Sequence, residues 1–202
     1  MRRNIERDFK RYRAKYRKTL RRLNFQKYPK ITATSCIPVH QQLYALARQE
    51  LPNIPEEVCK LWLYDRILNS GWPPSGSEWQ GYLFNHSIDY WKKLSWQESS
   101  IKISVEQLAD KSVELIFNLI DAHVNGVSNL VNIYMPDSKE RYDSISLYIS
   151  EKSEIPGKVI LLEGKEGYQL IDGAHRIAAT LMHQTRHPNN QLDIKAWIAA
   201  ET

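Results

Sequence analysis

Between Lys158 and Thr180 the chain reads KVILLEGKEGYQLIDGAHRIAAT, and this stretch restricts the fold more than any other. Two apolar runs, Lys158 to Leu162 and Tyr168 to Ile171, flank Gly164 and Gly167, which is the pattern of a hairpin. The second run meets Asp172-Gly173 and passes at once into a helix-forming stretch, expected from about Ala174 to Gln184. A strand, a tight turn and a helix in direct succession leave the first helical N–H groups without intrahelical partners, at the positive end of the helix dipole. With His175 and Arg176 in that turn, the donors suit phosphate or carboxylate. A purely structural reading stands beside this one: Gly173 as a turn residue, Asp172 as an N-cap, and Arg176 paired with a neighbouring acid.

The surrounding residues predict an α/β texture from Ile101 onward. Ile101, Ile103 and Val105 alternate as in a strand, and Val113, Ile116, Phe117, Ile120 and Val124 follow helical spacing. Residues 129 to 135 read as a further strand, Lys139 to Ser150 as a helix, and Leu192 to Ile198 as the last strand. Upstream, a helix is expected from Val39 to Glu50, closed by Pro52 and Pro55. Another starts at Pro55-Glu-Glu57 and runs to Asn69, before the Gly71-Trp-Pro-Pro loop. Trp79, Leu83, Tyr90, Trp91, Leu94 and Trp96 then lie in a segment read as helical, its rings forming either a core or a ligand-binding surface.

Charge separates the N-terminus from the rest. Residues 1 to 30 hold thirteen Lys or Arg against Glu6 and Asp8, a local balance of +11 in a chain of net charge +5, which leaves −6 on the remainder. Ile5, Phe9, Tyr12, Tyr16, Leu20 and Leu23 recur at helical steps, so this arm is expected to be a basic amphipathic helix. Nucleic acid, an anionic lipid surface and the acidic body of the protein are all candidate partners for it. No run approaches the ~18 apolar residues of a membrane span. The charged start lacks the apolar core of a secretory signal, and Cys36 and Cys59 are too few for a disulfide framework, so a cytoplasmic location is expected. Both thiols read as small buried apolar groups.

The segment from Lys158 to Ala179 resembles the signature of the ParB/sulfiredoxin-like superfamily, in which a strand pair ends in a His-Arg-type turn followed by an Ala-rich helix. Ile101 to Leu108 is similar to the opening strand of that family. The resemblance covers about residues 100 to 202 and implies an α+β (mixed α/β) domain. Residues 31 to 99 are then a Trp-rich helical region, and residues 1 to 30 the basic arm.

In that superfamily the turn holds nucleotide phosphates, so the resemblance implies a nucleoside triphosphate, ATP or CTP, at Gly173, Ala174, His175 and Arg176, with Mg2+. Ala174 stands where sulfinic acid repair requires a cysteine, which argues against that activity. Partition proteins carry Gly-Glu-Arg-Arg and a following DNA-reading domain; here the turn is Gly-Ala-His-Arg, with about 26 residues after it. Asp172, Gly173 and Arg176 match the Asp-Gly-x-x-Arg of the kinase-like branch. The expectation is therefore a phosphotransferase or nucleotide hydrolase acting on a small-molecule or protein acceptor. Asp172 would ligate Mg2+ or accept a proton, with a further acid from Glu106, Asp110 or Glu114. His175 would either donate to phosphate or brace the turn. His183 and His187, four apart, read as a surface pair because Pro188 breaks the helix and no third ligand is evident. Two alternatives remain: a nucleic-acid-binding module or nuclease using residues 1 to 30, and a non-catalytic protein docking through its tryptophan-rich middle.

Overall fold

In the computed structural model, residues 39–75, 77–127 and 137–201 are described. The basic arm, Cys36 and the strand expected over residues 129 to 135 lie outside them. The chain divides into two compact units at Leu94/Ser95.

The first unit is helical. Helix α1 (Val39–Glu50) buries Leu43, Leu46 and Ala47, its expected stripe. After Pro55, α2 (Glu56–Val58), a π turn (Cys59–Leu63) and α3 (Tyr64–Ser70) continue as one helical run. The wider π turn buries Cys59, Trp62 and Leu63 together. Cys59 is fully enclosed, and burial pushes its thiol up to about 12, so it is an inert packing group. Two short helices follow, α4 (Ser77–Tyr82) and α5 (Ile88–Lys92). Trp62, Trp72, Trp79 and Trp91 are all buried. The Trp62 and Trp91 rings lie 4.6 Å apart, and their indole N–H groups donate to the Tyr82 and Leu83 carbonyls. These rings are the core of the unit, so the reading of this region as a tryptophan docking surface is corrected: the polar end of each of these two rings is already used inside.

The second unit is an α+β domain. Strand β1 (Leu94–Ile101) starts earlier than the sequence suggests; Leu94 and Trp96 belong to it and not to a helix. Ile103 and Val105, expected in that strand, instead lead into a 3-10 turn (Val105–Gln107) whose capping box joins Ser104 and Gln107. Helix α6 (Asp110–His123) and helix α7 (Ser138–Lys152) come next. Strands β2 (Val159–Gly164) and β3 (Gly167–Asp172) form the expected hairpin, followed by α8 (Ala174–Arg186) and β4 (Ile194–Glu201).

The sheet order is β1-β4-β2-β3, with β2 antiparallel to β3 and parallel to β4. β3 ends beside Val159, and after α8 the chain re-enters the sheet at that same edge, where Ala196 pairs with Val159, so β4 runs parallel to β2. Ile177, Ala178 and Ala179 of α8 join Ile116 and Leu119 of α6, Ile149 of α7, and Val159, Leu161 and Ala196 of the sheet in one core. Ile160 and Leu162, on the opposite face of β2, are buried as well, which explains the unbroken apolar run there. An apolar groove of about 260 Å³ opens between the 3-10 turn, α6 and α8, lined by Val105, Ile116, Phe117 and Met182. No helix among the described residues is long and apolar enough to cross a membrane.

Candidate functional site

The turn that opens α8 is shaped by β2 and β3. Ile160 pairs with Asp172 but Leu161 pairs with Leu170, so Ile171 is an extra residue in β3, a bulge that re-aims Asp172 at the strand end. Gly173 then takes φ +99, a left-handed conformation. A Cβ at Gly173 would stand 2.6 Å from Val159 Cγ1, so both the backbone angle and the space exclude a side chain. Gly173, not Asp172, is the N-cap, and it supplies no capping side chain. The first bond into the helix runs from the Ile177 N–H to the Gly173 carbonyl. The N–H groups of Ala174, His175 and Arg176 precede it and head the helix, at the positive end of its dipole.

Arg176 is held from two sides. Its Nε donates to the Pro156 carbonyl at 2.8 Å, and its Nη1 lies 3.6 Å from Asp172 Oδ2. The guanidinium passes over Gly157, where a Cβ would meet it at 3.4 Å. The side chains of Arg176 and Asp172 retain 25 % and 33 % exposure, so this ion pair is long and solvent-accessible.

His175 turns the other way. Its Nε2 lies 2.6 Å from Ser138 Oγ, the first residue of α7, and the same Oγ lies 2.7 Å from His123 Nε2, at the end of α6. The two rings are nearly parallel, with centroids 6.2 Å apart. Burial, followed by the Arg141 cation, pushes His175 down to about 4, and burial together with Lys139 lowers His123. Both imidazoles are therefore neutral at pH 7. Arg141 donates through Nε and Nη2 to Asp137 Oδ2 and holds that carboxyl below its usual range.

Asp172, Gly173, Ala174, His175 and Arg176 thus come together. Of the three further acids expected, none is placed at this turn: Asp110 is exposed at the start of α6, next to Ala109, whose N–H donates to the Tyr168 carbonyl near the hairpin end of β3. Glu106 is exposed on the 3-10 turn, where Ser104 lowers its pKa. That turn abuts Gly167: a Cβ there would meet the Gln107 carbonyl oxygen at 2.5 Å. Gly167 is the hairpin end of β3, and Asp172 is five residues further on, about 16 Å at the usual strand rise. Glu114 is exposed on α6, two residues after Ser112, whose hydroxyl accepts from the Leu170 N–H. Of the acids expected from the sequence, Asp172 is the one at the turn; Asp137, which acts on His175 from the start of α7, is engaged by Arg141. Among the described residues no group of three His, Cys, Asp or Glu side chains could hold a metal ion. The His183 and His187 rings, 4.6 Å apart, have Asn190 as a further neighbour of His183 at the end of α8.

Sequence reasoning missed His123, Ser138 and Pro156-Gly157. His123 falls at the end of an apolar helical pattern and gives no local signal. Asp137-Ser138 is visible as a helix start, and Pro156-Gly157 as a turn, but nothing in the chain joins either to residues some 20 to 40 positions on. Comparison of this chain with protein-family models, with curated proteins and with solved structures finds no match.

Proposed function

We propose that the second unit is a ParB/sulfiredoxin-like domain that binds a nucleoside triphosphate with Mg2+ at the turn opening α8. The observation that carries this reading is the meeting of an uncapped helix N-terminus with the Arg176 guanidinium at one left-handed glycine. Phosphate oxygens would take the Ala174, His175 and Arg176 N–H groups, and Arg176 would exchange its long contact with Asp172 for a closer anion. The Pro156 carbonyl keeps the guanidinium in place during that exchange, because Nε, and not Nη1, is the atom it holds.

The donor set suits the cation as well. Mg2+ is commonly bound by one or two carboxylates together with phosphate oxygens and water, and Asp172 supplies one. Arg176, turned toward phosphate, would give up its long contact with Asp172, and the Asp172 carboxylate would then ligate the cation or accept a proton from an acceptor hydroxyl. Phosphoryl transfer is the finer form of the proposal. A neutral His175 contributes as a hydrogen-bond donor and not as a cation.

The test is a thermal shift with ATP, CTP and GTP in the presence of Mg2+. A ligand at 100 times its Kd adds about 2.7 kcal/mol, or roughly 5–11 °C for a chain of this size. Arg176→Ala should abolish the shift, while Asp172→Asn should keep binding and lose turnover. No stabilisation by any of the three nucleotides would remove the reading.

A further inference from the structure

Three side chains from three helices meet behind the turn: His123 from α6, Ser138 from α7 and His175 from α8. Ser138 is 1 % exposed and His123 8 %, so water does not complete their hydrogen bonding freely. A serine hydroxyl has one proton and can donate to one ring only; the other ring must donate to it. The direction is set by His123 Nδ1, which is buried with no partner among the described residues. A proton on that nitrogen would be a buried, orphaned donor, whereas a bare lone pair there is the less costly state. His123 therefore carries its proton on Nε2 and donates to Ser138 Oγ. Ser138 then donates to His175 Nε2, and a neutral His175 must carry its proton on Nδ1. Nδ1 of His175 is not among the buried orphaned atoms. Bonded to Cγ, it is the ring nitrogen nearer the backbone of the turn.

We propose that His123 and Ser138 are positioning residues that fix His175 in the Nδ1–H tautomer, so that the turn offers this N–H to a phosphorylated ligand beside its backbone donors and Arg176. The second half rests on the phosphate-binding reading above; the first does not. The titratable and charged groups that act on His175 are Arg141 from α7, His123 from α6, Asp137 at the N-cap of α7 and Arg176 from α8. Asp137 alone favours an imidazolium; the other three disfavour it and leave the neutral donor as the working form. A ring held by a hydroxyl at 2.6 Å is also fixed in orientation, as a donor to an anion must be.

The test is long-range 1H–15N correlation of the imidazoles in the full, uniformly labelled chain at pH 7.5, paired with ATP–Mg2+ affinity. The expected spectrum has His175 protonated at Nδ1 and His123 at Nε2. His123→Gln, whose amide can still donate to Ser138, should keep the His175 tautomer. His123→Leu and Ser138→Ala should lose it and weaken ATP by about tenfold, the effect of one lost hydrogen bond. His175 protonated at Nε2 in the unaltered chain would overturn the relay. The expected tautomer with equal ATP affinity in Ser138→Ala and the unaltered chain would overturn its role in ligand binding. If the unaltered chain binds none of ATP, CTP and GTP, the phosphate reading fails while the spectrum still decides the relay.

Discussion

Replacing Gly173 by alanine tests the geometry of the site without any ligand. Two costs arise. A non-glycine residue in the left-handed region loses about 1–2 kcal/mol, and φ here is +99. The new Cβ would stand 2.6 Å from Val159 Cγ1 and 3.0 Å from Val159 Cβ, against an ordinary carbon contact of about 3.5–4.0 Å. Val159 cannot swing aside, because it is fully buried in β2 and its β-branched side chain has few rotamers. Overpacking of this kind costs about 1–3 kcal/mol. Alanine restricts the unfolded chain and returns about 0.4–1 kcal/mol. The net expectation is a loss of about 1–4.5 kcal/mol, measured by urea denaturation followed by circular dichroism, with the m-value checked for constancy. A double-mutant cycle separates the two costs: Val159→Ala alone should destabilise by about 1–3 kcal/mol. Combined with Gly173→Ala it should cost about 1–2 kcal/mol less than the sum, because it removes the methyl in conflict. A single mutant within about 0.5 kcal/mol of the parent, or additivity within about 0.5 kcal/mol, would refute the close approach of β2 to this turn.

Two further outcomes are expected. His175, pushed down to about 4 by burial, binds a proton less readily in the folded chain than in the unfolded one. Its contribution is therefore complete above about pH 6.5 and is lost as pH falls toward 4, on the order of 2 kcal/mol once screening of a partly exposed ring is allowed for. His123 shifts in the same direction, and His175→Gln should flatten the slope of stability between pH 6.5 and 5. Ser112→Ala should leave the Leu170 N–H, now 2.8 Å from the hydroxyl, buried and unpaired. A loss of about 1–3 kcal/mol and faster exchange of the Leu170 amide should follow, and unchanged exchange would contradict this bond.

The hairpin, the turn and the helix after it were legible because each rests on local chemistry. Two short apolar runs, paired glycines and Asp-Gly specify β2, β3 and the start of α8 within a residue or two. Helix α1 was equally plain, since Pro52 and Pro55 bound an amphipathic run. The first strand was misplaced. Leu94 and Trp96 carry spacing compatible with the preceding helical pattern, and only pairing of β1 with β4, about a hundred residues away, draws them into the sheet.

By itself, the sequence determined the α+β class of the second unit, the α8 turn with its Asp-Gly and His-Arg pairs, and the uneven charge of the chain. Tertiary structure alone decided that Glu106 lies at the far end of β3 from Asp172, that Trp62, Trp72, Trp79 and Trp91 fill a core, and that His175 faces Ser138 and His123. The physical reason is the range of the interactions involved. Turn chemistry and periodicity act over a few residues and leave their mark in the chain. Which side chains meet across three packed helices depends on how a common core is filled, and a buried hydroxyl between two imidazoles has no local signature.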